Sequence, residues 1–178
     1  KAPLYVDDTG GLEIEGLRAR ARRLVQKSAV AIIIIDYLQL VRLKGLEHRS
    51  RNEEVSAVSA SLKAMAKELR IPIVVLSQLS RAPENDGQRK PRMSDLRDSG
   101  SIEQDADVVC LLRRPCKLAR DEENDDETLA VVEVAKHRNG PTGDIRLNFE
   151  DQYTRFEDRV RGVDGNDPMG GGVPAYEA

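Results

Sequence analysis

The stretch Ala29-Val30-Ala31-Ile32-Ile33-Ile34-Ile35-Asp36 decides the fold. It is apolar without a break, mostly β-branched, too short for most helices, and closed by a carboxylate. Such a run predicts a central strand covered on both faces, as in a parallel sheet, because a half-buried strand would alternate apolar with polar residues. On its amino side the spacing of Ile14, Leu17, Ala21 and Leu24 predicts a helix from about Glu13 to Lys27. Acidic residues come early in that helix and basic ones late, as the helix dipole favours. Farther upstream, Leu4-Tyr5-Val6 reads as a short buried strand ending in Asp7-Asp8, followed by the turn at Gly10-Gly11.

On the carboxyl side, Ser50 and Glu53 have the spacing of a capping box. The helix they open carries Val55, Val58, Leu62, Met65 and Leu69 at helical intervals and stops before Pro72. A second buried strand, Ile73-Val74-Val75-Leu76, follows. Arg81 to Asp95 is a loop punctuated by Pro83, Gly87 and Pro91 and containing Arg81, Arg89, Lys90 and Arg92. Ala106 to Leu112 predicts a third buried strand, and Asp121 to Glu127 a solvated acidic connection. Two more strands, Leu129 to Ala135 and Asp144 to Phe149, are joined by the turn Asn139-Gly140-Pro141-Thr142-Gly143. Alternating strands and helices define an α/β class, and crossover rules favour a parallel sheet with this hairpin at its end.

Bulk properties narrow the function classes. The chain has 178 residues, 39% of them apolar, enough for one domain with a real core. A net charge of -3 excludes a globally basic nucleic-acid binder, so any basic surface is local. No apolar run approaches the ~20 residues that span a membrane, and the charged start is not a signal peptide, which points to the cytoplasm. Cys110 and Cys116 match neither a disulfide framework nor a zinc site, and Cys110, closing an apolar run, reads as a small buried hydrophobe. The sequence opens on Lys1 with no Met, which suggests a piece of a longer protein. Residues 1–160 carry the domain, and the Gly- and Pro-rich residues 161–178 are expected to be a disordered tail.

Four features carry chemistry. Asp36 at the carboxyl end of a dry strand is the form of a Walker B strand, which holds one carboxylate where magnesium and its waters meet phosphates. Ser77-Gln78 ends the neighbouring strand, and ligands of open α/β sheets sit beyond such ends. A glutamine there can hydrogen-bond a γ-phosphate, or its attacking water, and a loop beyond it. Lys136 and Arg138 lie two apart at a strand end, so both cations project to one side and suit a phosphate, with Arg138 as an arginine finger. His137 points the other way and reads as a surface residue. In Asp95-Leu96-Arg97-Asp98-Ser99-Gly100-Ser101, Gly100 permits close backbone approach and Arg97 supplies a charge for a DNA phosphate. Taken singly, each also fits an ordinary strand end, hairpin tip or loop.

Together, in this order, the strings Ile35-Asp36-Tyr37-Leu38-Gln39-Leu40, Ser77-Gln78-Leu79-Ser80-Arg81, Asp95 to Asp107 and Lys136 to Gly143 closely resemble the C-terminal motor domain of DnaB-type replicative helicases. Pro3 to Asp8 and Tyr153 to Glu157 also look like that family. The resemblance implies a RecA-like fold, ATP and Mg2+ as cofactors, a homohexameric ring on single-stranded DNA, and primase and a helicase loader as partners. It assigns Asp36 to the metal and Gln78 to coupling between nucleotide and DNA. Lys136 and Arg138 would reach a neighbouring subunit's ATP, and Arg97, Asp98 and Gly100 would hold the DNA backbone in the channel.

No lysine follows a glycine anywhere in the chain, so the Walker A loop G-x-x-x-x-G-K-[ST] is absent and its strand is missing from the sheet. These residues alone are therefore expected not to hydrolyse ATP. Two other readings stand beside this one: a non-catalytic RecA-like module binding DNA or a partner, and a RecA-like recombination or repair ATPase.

Overall fold

The computed structural model describes residues 3–45, 50–80, 89–96, 100–118 and 125–159. Its helices are α1 (Ile14–Ser28), α2 (Arg51–Leu69) and the short α3 (Gly100–Asp105). Its strands are β1 (Ile33–Ile35), β2 (Ile73–Val75), β3 (Val108–Arg113), β4 (Leu129–His137), β5 (Gly143–Glu150) and β6 (Arg155–Asp158). The expected tail and the loop residues Arg81, Arg97 and Asp98 lie outside the described residues.

Helix α2 begins on the expected capping box: the Glu53 amide donates to the Ser50 hydroxyl at 3.3 Å, and the Ser50 amide to the Glu53 carboxylate at 3.1 Å. Its buried Val55, Val58, Leu62 and Met65 meet Ile14 and Ala21 of α1 and Leu38 and Val41 of the segment after β1. Arg18 and Arg22 on α1 both donate to Glu68 on α2, and these bonds, Arg18 first, hold its carboxyl below the usual carboxylate range. The helix pair covers one face of a two-stranded parallel sheet in which Ile33 faces Ile73 and Ile35 faces Val75.

Three expectations need correction. The first strand spans Ile33–Ile35 and not the whole run from Ala29, because Ala29 sits in the left-handed region (φ 47) and ends α1. Ile34 remains 64% exposed, so β1 is covered on one face among the described residues, not on both. Leu4-Tyr5-Val6 forms no strand and is exposed, since none of the described strands lies beside it to complete a ladder. That segment is held by Arg20 of α1, whose guanidinium donates to the Asp7 carboxylate at 2.6 Å and the Thr9 hydroxyl at 2.8 Å.

The third correction concerns β3, which does not extend the parallel sheet. It opens an antiparallel sheet in the order β3-β4-β5-β6, so the expected hairpin is the middle of a four-stranded unit. Its side chains alternate: Val109, Leu111 and Arg113 turn inward, while Val108, Cys110 and Leu112 are exposed. Cys110 is thus a surface residue and not a buried hydrophobe. Val109 and Leu111 join Leu96 in a second core, and Ile102 of α3 packs against both cores. Where β4, β5 and β6 meet, Arg114 stacks over the Phe149 ring (4.3 Å) and ion-pairs with Asp151 (2.8 Å), while Phe149 packs on Phe156. Among the described residues, no helix is long and apolar enough to cross a membrane.

Candidate functional site

Parallel pairing of β1 with β2 brings two of the expected residues to one edge. The ladder closes with the Leu76 amide donating to the Ile35 carbonyl at 3.0 Å, and Asp36 and Ser77-Gln78 leave the sheet directly beyond it. The Leu38 amide then donates to the Leu76 carbonyl at 2.8 Å, which pulls the chain after Asp36 towards β2. The carboxylate of Asp36 is exposed and makes no hydrogen bond or ion pair among the described residues. Gln78 is exposed as well.

Gln39 ties the two strand ends together. Its side-chain amide donates to the Ser77 hydroxyl at 3.2 Å, and its side-chain oxygen accepts from the Gln78 amide at 3.4 Å. Arg51 of α2 donates to the Gln39 carbonyl and pairs with Glu54, so the clamp is anchored on the helix. Nothing in the local sequence around Gln39 marks this role. Only the short turn at Leu38–Leu40, which aims it at β2, makes that role visible.

Lys136 and Arg138 do reach the same side, and both find backbone carbonyls at the carboxyl end of α3. The Lys136 ammonium donates to the Glu103 carbonyl and the Arg138 guanidinium to that of Gln104. Cations at a helix carboxyl end satisfy orphan carbonyls and complement its dipole. The Arg138 amide also donates to the Asp107 carbonyl at 2.9 Å, and its Nε lies 3.8 Å from the Asp107 carboxylate. Asp107 is held from its other side by Lys63 of α2, and that bond, ahead of Arg138, keeps its carboxyl below the usual range. No hydrogen bond or ion pair among the described residues joins Lys136 or Arg138 to Asp36 or Gln78. Among the described residues, the two pairs are thus not bonded directly to one another. His137 is exposed, as expected, and its Nδ1 lies 3.2 Å from the Pro141 carbonyl.

Gly100 opens α3, and a Cβ added there would meet no atom within 4 Å, so internal packing does not require a glycine. The helix is fastened to α2 by Ser101 to Ser56 and by Ser59 to Asp105, each 2.7 Å. Just before it, Asp95 is 3% exposed and accepts both guanidinium nitrogens of Arg89 at 2.7 and 2.8 Å, along with the Arg92 amide at 2.7 Å. The Arg89 bond is foremost in holding the Asp95 carboxyl below its ordinary range. The loop cation Arg89 is therefore partly committed to structure.

No group of three or more His, Cys, Asp or Glu among the described residues could cage a metal. A lone carboxylate fits magnesium all the same, since that ion keeps its waters and is held by one or two carboxylates plus substrate phosphates.

Helices packed on a parallel strand pair whose carboxyl ends carry Asp and Gln define an α/β domain, in which ligands sit beyond such strand ends. Solved structures agree: one of an ATPase domain superposes with a TM-score of 0.73 at 36% identity, covering 84% of this chain and 52% of that one. The structure of a DnaB-like replicative helicase and its interactions with primase gives 0.76 at 36% identity, covering 86% and 37%. The fold is therefore RecA-like. The model of the DnaB-like helicase C-terminal domain matches residues 1–158, and the chain belongs to that family. The replicative DNA helicase DnaB of Geobacillus stearothermophilus is 45% identical over 163 residues, 92% of this chain and 36% of that protein. Its counterpart in Leifsonia xyli subsp. xyli is 48% identical over 157 residues, 88% of this chain and 34% of that protein. The chain thus spans about a third of the length of these curated relatives.

Proposed function

We propose that this chain is the carboxyl-terminal part of the motor of a replicative DNA helicase, which uses ATP to unwind duplex DNA as a homohexameric ring moving on single-stranded DNA. The observation that carries this reading is the side-by-side exit of Asp36 and Gln78 from paired parallel strands, in a chain of the DnaB-like family. Asp36 would hold Mg2+ beside the phosphates, and the ion would neutralise charge on the transferred group. Gln78, fixed by Gln39, reports nucleotide state to the DNA side. Arg138, with Lys136, meets the phosphates of a neighbouring subunit, an assignment that fits the absence of any hydrogen bond or ion pair joining them to Asp36 or Gln78 among the described residues. Arg97, Asp98 and Gly100 would bind the DNA backbone, and the open surroundings of Gly100 suit a close ligand. A primase, named with one of the structural neighbours, and a loader are the protein partners, and the setting is the cytoplasm.

The 178 residues contain no phosphate-cradling loop, so on this reading they do not turn over ATP by themselves. The test uses full-length subunits. Arg138→Ala and Asp36→Ala are each expected to abolish hydrolysis while rings still assemble, and mixing the two is expected to restore turnover at interfaces where both residues are native. Mixed rings, verified by mass, that stay inactive would sink the trans assignment. Arg138-dependent turnover by the 178-residue chain alone would sink the claim that it is incomplete.

A further inference from the structure

Asp107 stands between two cations and belongs to neither group of residues discussed above. Its Oδ2 accepts from Lys63 of α2, its Oδ1 lies 3.8 Å from Nε of Arg138, and its backbone carbonyl accepts the Arg138 amide at 2.9 Å. The far end of the same guanidinium donates to the Gln104 carbonyl at the end of α3. Arg138 is therefore hydrogen-bonded at its amide and its terminal nitrogen, with its Nε in ion-pair range of Asp107, while its side chain stays 49% exposed. An arginine beyond a strand end samples many rotamers unless its fork is held. Holding it beforehand keeps more of the binding energy for the moment when charge develops.

We propose that Asp107, braced by Lys63, is the positioning residue for Arg138: it holds the guanidinium exposed and oriented for a phosphate group presented by another subunit. This rests on the reading of Arg138 as a residue acting in trans. Charge supports the same direction: Lys63, ahead of Arg138, holds the Asp107 carboxyl below its ordinary range, and an aspartate, ionised at neutral pH, is what a guanidinium needs. The brace also ties Arg138 to α2, the helix to which Ser56 and Ser59 fasten α3.

The experiment measures steady-state ATP turnover by assembled full-length subunits. Asp107→Asn is expected to lower kcat roughly 10- to 100-fold, the size of a misplacement effect, with KM for ATP and ring assembly unchanged. Asp107→Glu is expected to recover most of that loss. A dead Arg138→Ala enzyme beside an Asp107→Asn enzyme of normal kcat overturns the positioning role and leaves the trans reading standing. A fully active Arg138→Ala enzyme overturns both. If Asp107→Asn does not assemble, Lys63→Met decides: a several-fold lower kcat at unchanged KM supports the role, and a normal kcat overturns it.

Discussion

The side-chain amide of Gln39, on the turn after β1, lies 3.2 Å from the hydroxyl of Ser77 at the end of β2. That contact and the 3.4 Å bond from the Gln78 amide hold the two strand ends in fixed relation. Gln39→Leu keeps the volume and removes both bonds. At about 1 kcal/mol for each, the chain is expected to lose roughly 1–2 kcal/mol in urea unfolding. In full-length subunits the ratio of DNA-stimulated to basal ATP turnover is expected to fall several-fold, because the clamp sits under Gln78 and not under Asp36. An unchanged ratio would remove Gln39 from any coupling role.

Asp95 makes a second prediction, about pH. Its folded pKa is depressed below the ordinary 3.8, chiefly by Arg89. A depressed carboxylate adds stability that is fully present above the unfolded value and is lost as pH falls from there through the folded value. At neutral pH, Asp95→Asn is expected to cost about 2–3 kcal/mol, since it weakens a charged, bidentate bond to a buried group. The difference between wild type and Asp95→Asn is expected to shrink as pH drops below about 4, the unfolded carboxylate range. Urea midpoints taken from pH 7 down to pH 3 measure it. A difference that stays constant would mean that the ion pair is not what Asp95 contributes.

What was legible in the sequence follows from the range of each signal. The capping box, the Val55 to Met65 face and the pairing of two apolar strands depend on neighbours in sequence or on simple periodicity, and all are present. The extent of β1 was not legible, because a run of apolar residues does not say where its ladder partner ends. β2 spans Ile73–Val75, and β1 matches it. The place of β3 was hidden for a related reason. Its apolar run reads as buried, yet its outward residues Val108, Cys110 and Leu112 are exposed, and its partner β4 arrives about twenty residues later. Among the candidate site residues, Asp36, Gln78, Lys136 and Arg138 stand out in the sequence as strand-end side chains of telling chemistry. Gln39, Lys63 and Asp107 were not given roles, since their meaning lies in long-range contacts between separate elements.

Arg70 yields a stability prediction independent of function. It closes α2 in the left-handed region (φ 56), where a Cβ is unfavourable and glycine is the usual choice. Arg70→Gly is expected to stabilise the chain by about 0.5–1 kcal/mol, after allowing for the greater freedom of glycine in the unfolded state. In a domain of this size that corresponds to a rise of roughly 1–4 °C in Tm. Calorimetry of the two proteins side by side measures it, and a lower Tm for the variant would refute the assignment of strain.

The hairpin that carries Arg138 has its own fit to test. The His137 ring lies over Gly140, so a Cβ placed there would sit 2.3 Å from Cε1 and 2.5 Å from Nδ1. Nδ1 is 3.2 Å from the Pro141 carbonyl, so it is the nitrogen that donates there and the ring is anchored against the turn. Gly140→Ala must therefore expel the ring and break that bond, at a cost of about 1–2 kcal/mol. His137→Ala alone is expected to cost less than about 1 kcal/mol, because the ring is otherwise exposed. In the double variant the three atoms nearest the added methyl are gone, so the combined loss is expected to fall short of the sum by about 1 kcal/mol. A double-mutant cycle by urea unfolding reads this directly. Strict additivity would mean that the His137 ring does not steady the turn beside Arg138.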